Sequence, residues 1–332
     1  MLALPTLREL GERFSRCVQI FVARTPRCVC RSASSSLTQR QLHYMPAVTR
    51  IFQLLARVPL SWMQCLGVCL GWMVWCVSPR YRHTFAANVK ASGIPSHLAR
   101  SAIAAAGMVV SELPWVWMRP HTQTLKGLVQ FDGAEHFEAA MRAGKGVIIL
   151  SPHIGSWEIG AQAIAEKFGP EFGDMVVLFR PARKAWLESL VANARTRPFL
   201  NSTPTTLSGV RTLMRTLRAG GYTAILPDQV PPMGQGVWAP FFGRDVYTMT
   251  LLAKLAQQTG AQVIQTWCER LPIGQGFCLR MRPMDVAEFK DSSFSPEQAA
   301  SAVNRAVEDM VRHAPGQYLW AYDRDKQPRA ES

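Results

Sequence analysis

Paired cysteines with metal-binding spacing are missing from this sequence. Its eight cysteines form no set of Cys-x-x-Cys units, so a zinc-finger type of metal site is not predicted. Three of them, Cys65, Cys69 and Cys76, lie in an apolar stretch where a small polarizable side chain packs well. We therefore interpret the cysteines as free thiols in a reducing, cytoplasmic setting.

A nucleophile elbow is also missing, because no G-x-S-x-G segment occurs, and this argues against a serine hydrolase that pairs a serine with His153. No internal repeat is evident, so a solenoid is not predicted. A chain of 332 residues with 48% hydrophobic content can bury the core of one large α/β domain.

Acidic residues are few. The 37 lysines and arginines outnumber the 23 aspartates and glutamates, which gives a formal net charge of +14 and implies an anionic partner. Ten tryptophans, fourteen methionines and a long uncharged stretch favour a lipid surface over nucleic acid. We predict a membrane partner and no nucleic acid, although a basic, non-catalytic adaptor would have the same charge.

The N-terminal part divides into two segments. Residues 1–45 carry seven arginines and two glutamates, and they are interpreted as a basic, disordered lead-in, either a transit peptide or an upstream extension before Met45. Within the predicted anchor, residues 46–82, the stretch from Val58 to Ser78 has no charge and would form a helix of roughly 32 Å.

Flanking arginines and tryptophans suit a membrane anchor, whereas Pro59 and Gln64 weaken a simple span. A helix lying in the membrane interface and a buried core helix stay open as alternatives.

Residues 83–328 alternate between strand-like and helix-like runs, which predicts an α/β sheet covered by helices. The predicted strands are Gly146 to Leu150, Met175 to Phe179, Tyr222 to Leu226, Val263 to Trp267 and Phe277 to Met281. The predicted helices are Pro95 to Trp117, Ala134 to Arg142, Ser156 to Phe168, Ala185 to Arg195, Leu207 to Arg218, Thr248 to Gln258 and Pro296 to Arg312.

The most informative segment is a buried strand followed by Ser151-Pro-His153 and then by a helix that contains Glu158. Ligands of open α/β sheets bind beyond the carboxyl ends of the strands, so His153 lies where a catalytic group belongs. On one continuous helix His153 and Glu158 would point about 140° apart. If His153 instead precedes the helix, Glu158 can fold back and orient the imidazole as a general base.

His153-Ile-Gly-Ser-Trp-Glu158 resembles the His-x4-Asp/Glu box of the glycerolipid acyltransferases. It is more similar to the His-x-Gly-Asn-Trp-Glu form of the lipid A biosynthesis late acyltransferases (lauroyl/myristoyl acyltransferases), in the lysophospholipid acyltransferase superfamily. Further elements resemble this family in the same order: Pro79-Arg-Tyr-Arg82 with Asn88, Leu178-Phe-Arg-Pro181, Asn193-Ala-Arg-Thr-Arg197, Leu226-Pro-Asp-Gln229, Val237 to Gly243 with Thr248 and Thr250, and Pro315-Gly-Gln-Tyr-Leu-Trp320.

The resemblance implies a glycerolipid-acyltransferase-like mixed sheet with an N-terminal membrane-anchoring helix. It implies transfer of a fatty acyl chain from acyl carrier protein to a hydroxyl of a phosphorylated lipid A precursor, at the cytoplasmic face of a bacterial inner membrane. His153 and Glu158 are the implied catalytic residues, and Arg195, Asp228 and Arg180 the implied substrate-binding residues. A thioester needs no activation, so we expect no cofactor and no metal.

Several alternatives stay open beside this implication. Arg195 could lie on a solvated helix face, and Asp228 could hold Arg195 or part of the backbone, or be a turn residue. Two departures from the family pattern matter: Ser156 replaces an asparagine, and Asp323 and Asp325 replace basic positions, which argues against anion binding there. A glycerolipid or glycolipid acyltransferase with a different acceptor is the second functional hypothesis.

Overall fold

The computed structural model describes residues 49–179, 197–285, 287–290 and 295–328. Within these ranges the helices are α1 (Leu60–Val77), α2 (Pro79–Ser92), α3 (Ser96–Ala99), α4 (Ala102–Met118), α5 (Ala134–Arg142), α6 (Trp157–Phe172), α7 (Leu207–Arg218), α8 (Leu251–Thr259), α9 (Ala287–Lys290), α10 (Pro296–His313) and the 3-10 turn Pro315–Gln317. The strands are β1 (Val129–Asp132), β2 (Val147–Leu150), β3 (Met175–Phe179), β4 (Leu200–Pro204), β5 (Tyr222–Ile225), β6 (Gly236–Phe241), β7 (Arg244–Met249), β8 (Gln262–Arg270) and β9 (Phe277–Met284).

Seven of the strands form one mixed sheet in the order β1-β9-β8-β2-β5-β3-β4. Neighbouring strands are parallel except for β8 and β9, which pair antiparallel. Helices cover the sheet, so the predicted α/β fold with a mixed sheet is confirmed. Each of the five predicted strands corresponds to a strand of this sheet.

Strand β2 is buried on both faces, which explains its uninterrupted run Val-Ile-Ile-Leu. Val147 and Ile149 pack into the hydrophobic cluster that contains residues of α5 and α6. Ile148 and Leu150 pack into the cluster on the other face, with residues of α7, α8 and α10. A strand covered on both sides is held in place along its whole length, and the residues that follow it are therefore well positioned.

The register of the central strands brings two polar segments together. Leu150, the last residue of β2, lies opposite Ile225, the last residue of β5. His153 follows the first by three residues and Asp228 follows the second by three residues. Because β2 and β5 are parallel neighbours, both side chains reach the same edge of the sheet.

Helices α1 and α4 pack closely through glycines. Gly67 and Gly71 stand one turn apart on α1, and a Cβ added to Gly107 of α4 would lie 2.0 Å from the Gly67 carbonyl oxygen. Only glycine permits this approach of the two backbones. In the described residues, Leu60–Val77 and Ser96–Met118 are long and apolar enough to cross a membrane, but 67% of the most apolar part of Ser96–Met118 is buried inside the protein. The apolar helices near the N-terminus fit membrane anchoring.

Some boundaries differ from the expectations. The predicted helix from Thr248 begins at Leu251, because Thr248 belongs to β7 and pairs with Val237 in a β-hairpin. This hairpin turns through Phe242 and Gly243, both with positive φ, as a tight hairpin turn requires. The predicted helix Pro95 to Trp117 is divided into α3 and α4. The predicted helix Ala185 to Arg195 lies outside the described residues.

Candidate active site

His153 and Asp228 form a buried pair at the carboxyl edge of the sheet. The Nδ1 atom of His153 lies 2.8 Å from Asp228 Oδ1, and the backbone N–H of His153 donates to Asp228 Oδ2 at 3.0 Å. The two residues are 8% and 3% exposed, so water screens this interaction very little. Asp228 thereby fixes both the position and the ring orientation of His153.

The second ring nitrogen of His153 faces Gln229. The Gln229 Nε2 atom lies 2.9 Å from His153 Nε2. An amide nitrogen only donates, so this contact requires an unprotonated Nε2, and the proton of a neutral imidazole is then on Nδ1, toward Asp228. This tautomer leaves on Nε2 the lone pair that a general base needs.

The charge of Asp228 is set by opposing effects. Burial alone would raise the pKa of its carboxyl group, but the charge and hydrogen bonds of His153, together with the charge of Arg324, hold that pKa below its ordinary value. Asp228 is therefore an ionised carboxylate at neutral pH. Burial raises the pKa of the nearby Tyr318 hydroxyl, and the charge of Asp228 raises it further, so this hydroxyl stays protonated.

Glu158 lies in the first turn of α6, five residues after His153, and its side chain is half-buried. The Trp157 ring, next to it, stands edge-on to the His153 ring with 4.7 Å between centroids. The Asp228 carboxylate contacts the imidazole at Nδ1. The pairing of His153 with Glu158 stays a prediction.

A cleft of about 190 Å³ opens beside the turn that carries these residues. Val109, Glu112, Leu113 and Val116 of α4 line one side of it, and Ser156, Trp157, Glu158 and Arg270 also line it. A second cleft of about 230 Å³ lies between α2, the β6–β7 hairpin and the C-terminal segment.

Arg180 and Arg195, the arginines predicted to bind substrate, lie outside the described residues. Arg197, the second arginine of the Arg-x-Arg element, is buried and donates from Nη2 to the Val116 carbonyl at 2.9 Å. Burial and the charge of Arg119 lower the pKa of Arg197 to about 10, against the opposite effect of Glu166. Arg197 is therefore still a cation at neutral pH.

The C-terminal segment is held to the rest of the protein by hydrogen bonds, an ion pair and a cation–π contact. Asp325 accepts a hydrogen bond from Arg244 at 2.7 Å, and Asn88 donates to the Trp320 carbonyl at 2.7 Å. Arg324 is buried with its guanidinium 4.7 Å from the centre of the Phe241 ring. The acidic position Asp325 thus pairs with an arginine of the same chain.

Sequence reasoning missed a second buried cluster around Glu112 and Arg270. Neither residue belongs to the motifs, and a glutamate inside an apolar helix is the only signal that could have pointed to it. Among the described residues, no group of three or more His, Cys, Asp or Glu side chains could hold a metal ion.

Comparison with known proteins identifies relatives of this chain. Residues 32–327 match the model of the bacterial lipid A biosynthesis acyltransferases. A lipid A biosynthesis acyltransferase of Haemophilus influenzae is 30% identical over 191 residues, which is 58% of this chain and 57% of that protein. The lipid A biosynthesis palmitoleoyltransferase of Escherichia coli is 25% identical over 228 residues, 68% of this chain and 71% of that protein. The lauroyltransferase of the same organism is 25% identical over 221 residues, 66% and 69% of the two chains.

Proposed function

The chain belongs to the bacterial lipid A biosynthesis acyltransferase family, and from this premise we propose that it moves a fatty acyl chain from acyl carrier protein to a hydroxyl of a phosphorylated lipid A precursor. The family predicted from the ordered motifs is confirmed. The donor, the acceptor hydroxyl and the roles of single residues are the proposal. The observation that carries it is the buried His153–Asp228 pair, which presents the basic nitrogen of an imidazole at the sheet edge.

The proposed reaction needs a base and a group that stabilises the positive charge of the protonated base. Nε2 of His153 takes the proton of the acceptor hydroxyl while the oxygen attacks the thioester carbonyl carbon. The tetrahedral intermediate collapses, the carbon–sulfur bond breaks, and the leaving sulfur receives the proton from His153. The products are an ester and the thiol of the carrier protein, and no oxidant, reductant or nucleotide enters the balance.

Asp228 supports this cycle from the other side of the ring. Its ionised carboxylate keeps the proton of the neutral ring on Nδ1 and stabilises the imidazolium that forms when Nε2 takes the hydroxyl proton. Gln229 donates to Nε2, and the acceptor hydroxyl takes the place of that amide when it binds. Gln229 therefore holds the base in its reactive tautomer before the acceptor arrives.

Glu158 is proposed as the catalytic partner on the substrate side. It lines the cleft, whereas Asp228 contacts the Nδ1 edge of the ring. A carboxylate there can accept a hydrogen bond from the acceptor or orient His153 once the acceptor has displaced Gln229. Arg195 and Arg180 are proposed to bind phosphate groups of the acceptor, since guanidinium groups bind such oxygens in pairs.

We propose that α1 attaches the enzyme to the inner membrane, with the catalytic domain at the cytoplasmic face. Trp62 and Leu66 are exposed on α1, and Arg57 and Arg80 lie beyond its two ends. This arrangement of apolar and basic residues suits an acidic lipid surface. A helix that spans the bilayer and one that lies in the interface are distinguished by labelling Cys65, Cys69 and Cys76 in intact and opened vesicles.

The test is an assay of purified protein with acyl carrier proteins bearing different chains and a tetra-acylated lipid A precursor. We expect a product heavier by one acyl group, and a His153→Ala variant slower by about 10²- to 10⁴-fold. Glu158→Gln is expected to lower the rate as well, with Glu138→Gln, at a half-buried position of α5 outside the cleft, as its control. A chain that acylates only a glycerolipid would support the second hypothesis, and an unaffected His153→Ala variant would contradict the mechanism.

A further inference from the structure

The carboxylate of Glu112 is the most connected buried acid outside the His153–Asp228 pair among the described residues. It lies in α4 with 1% of its surface exposed and accepts four hydrogen bonds. Arg270 donates Nε to Oε1 at 2.8 Å and Nη2 to Oε2 at 2.7 Å. Gln64 of α1 donates to Oε1 at 3.1 Å, and Ser156 donates to Oε2 at 3.0 Å.

These four donors come from three separate parts of the fold. Arg270 ends strand β8, Gln64 lies near the N-terminal end of the predicted membrane helix α1, and Ser156 belongs to the segment between His153 and Glu158. A buried ion pair is costly to desolvate and by itself is weak evidence for a stabilising role. The two additional donors distinguish Glu112 from a simple ion pair, because they join α1 to the catalytic turn.

The turn around Ser156 is held on its other side by Gln317. The Gln317 side chain bonds both main-chain groups of Arg270, at 2.8 and 2.9 Å. The main-chain carbonyl of Gln317 accepts a hydrogen bond from the backbone N–H of Gly155, while the N–H of Ser156 donates to the Cys268 carbonyl at 2.8 Å. These main-chain bonds hold one side of the turn, and the Glu112 carboxylate holds the Ser156 hydroxyl. Arg270 bonds both Gln317 and Glu112 and so links the two sets of bonds.

We propose that Glu112 is a positioning residue for acyl transfer: it fixes the turn Gly155-Ser156-Trp157 through the Ser156 hydroxyl, so that His153 and Glu158 face the substrate, and it ties this geometry to α1 through Gln64. The proposal rests on the proposed function. Glu112 lines the same cleft as Glu158, but both of its carboxylate oxygens already accept hydrogen bonds from the protein, so its effect on the rate comes from the orientation of the turn. A small misplacement of catalytic groups can cost up to about 10²-fold in rate.

The first experiment compares three variants in the acyl-transfer assay. Ser156→Ala removes one donor, Ser156→Asn replaces it by an amide N–H that can reach the same carboxylate, and Ser111→Ala is the control. Ser111 and Ser156 are both 4% exposed, but Ser111 donates only within its own helix, to the Met108 carbonyl. We expect Ser156→Ala to lower kcat about tenfold with little change in KM, Ser156→Asn to recover most of it, and Ser111→Ala to match the wild type.

A role in packing alone predicts the opposite order, because asparagine is larger than serine and alanine is the smaller, apolar replacement. Equal kcat values for Ser156→Ala and the wild type would overturn the proposal. If the wild-type protein itself transfers no acyl chain to the lipid A precursor, the proposed function fails instead, so the two failures are distinguishable.

The second experiment tests the connection to α1. Gln64→Met keeps the length of the side chain but donates no hydrogen bond to Glu112. We expect kcat to fall about threefold while the fraction bound to anionic phospholipid vesicles is unchanged. A loss of activity that only follows a loss of vesicle binding would overturn this part. Glu112→Gln is measured alongside, with its thermal midpoint, and we expect its kcat to fall more than that of Ser156→Ala.

Discussion

Among the described residues, two buried carboxylates pair with basic side chains, and their partners differ in chemistry. Asp228 faces His153, a group that can gain and lose a proton, whereas Glu112 faces Arg270, whose charge is permanent. The first pair is built by two neighbouring strands of the sheet, and the second by a helix, a strand end and a turn. A pair that includes histidine can take part in proton transfer, while an arginine pair can only hold its surroundings in place.

The largest expected effect is on catalytic activity, and it distinguishes the Asp228–His153 pair from the Glu112–Arg270 pair. Asp228→Asn should lower kcat/KM by about 10³- to 10⁴-fold, because an amide that donates to Nδ1 forces the proton onto Nε2, the tautomer that cannot act as a base. The measurement is steady-state acyl transfer, with Asp174→Asn as the control, since Asp174 is exposed and accepts a hydrogen bond from Asn201. A loss below tenfold would mean that Asp228 does not orient the base.

The next effect separates the pairs by stability. Glu112→Ala leaves Arg270 as a buried charge without its partner and should destabilise the protein by about 3–5 kcal/mol. Asp132→Ala breaks the exposed pair with Arg280, where the side chain of Asp132 is 58% exposed, and should cost less than about 1 kcal/mol. Denaturant unfolding measures both variants. Equal costs would contradict the contrast between buried and exposed pairs.

A smaller effect concerns α1, the helix whose Gln64 side chain donates a hydrogen bond to Glu112. Gly107→Ala would place a methyl group against the backbone of Gly67, so α1 must shift away from α4. We expect a destabilisation of about 1–3 kcal/mol. Ala104→Gly in the same helix is the control, because it adds no atom to the contact with α1 and lowers helix propensity by about 1 kcal/mol. If Gly107→Ala unfolds at the same denaturant concentration as the wild type, the close packing of α1 is not needed.

The smallest effect is a pH dependence that only the Asp228 pair should show. The pKa of Asp228 is lowered in the folded protein, so its contribution to stability is complete above the unfolded-state pKa of about 3.9 and is lost as pH falls through the lower folded-state value. The stability advantage of the wild type over Asp228→Asn should therefore shrink as pH falls below about 4. Urea unfolding at several pH values below 5 measures this, and an advantage that grows below pH 4 would reverse the assigned sign.

Periodicity predicted the central part of the fold well. The strands β2, β3, β5, β8 and β9 are short apolar runs bounded by glycine, proline or charge. The strands that sequence reasoning missed lack this signal. β4 reads Leu-Asn-Ser-Thr-Pro and is mostly exposed at the sheet edge, and the β6–β7 hairpin pairs only with itself. Such strands form because a neighbouring strand offers hydrogen bonds.

The position of His153 could be predicted, but its contact with Asp228 could not. His153 was expected beyond the end of a strand, and it lies there, as does Asp228. Spacing along the chain suggested Glu158, five residues away, as a partner of His153, whereas Asp228 is 75 residues away. Local spacing cannot show which distant strand lies beside β2.

The sequence alone determined the α/β class, the order of the motifs, the family and the placement of His153 at a strand end, because these depend on local patterns of apolar and polar residues. The tertiary structure decided that Asp228 contacts the imidazole and which residues surround Glu112. Those contacts depend on the pairing of β2 with β5 and on the close approach of α1 to α4, and both arise only when distant segments pack together.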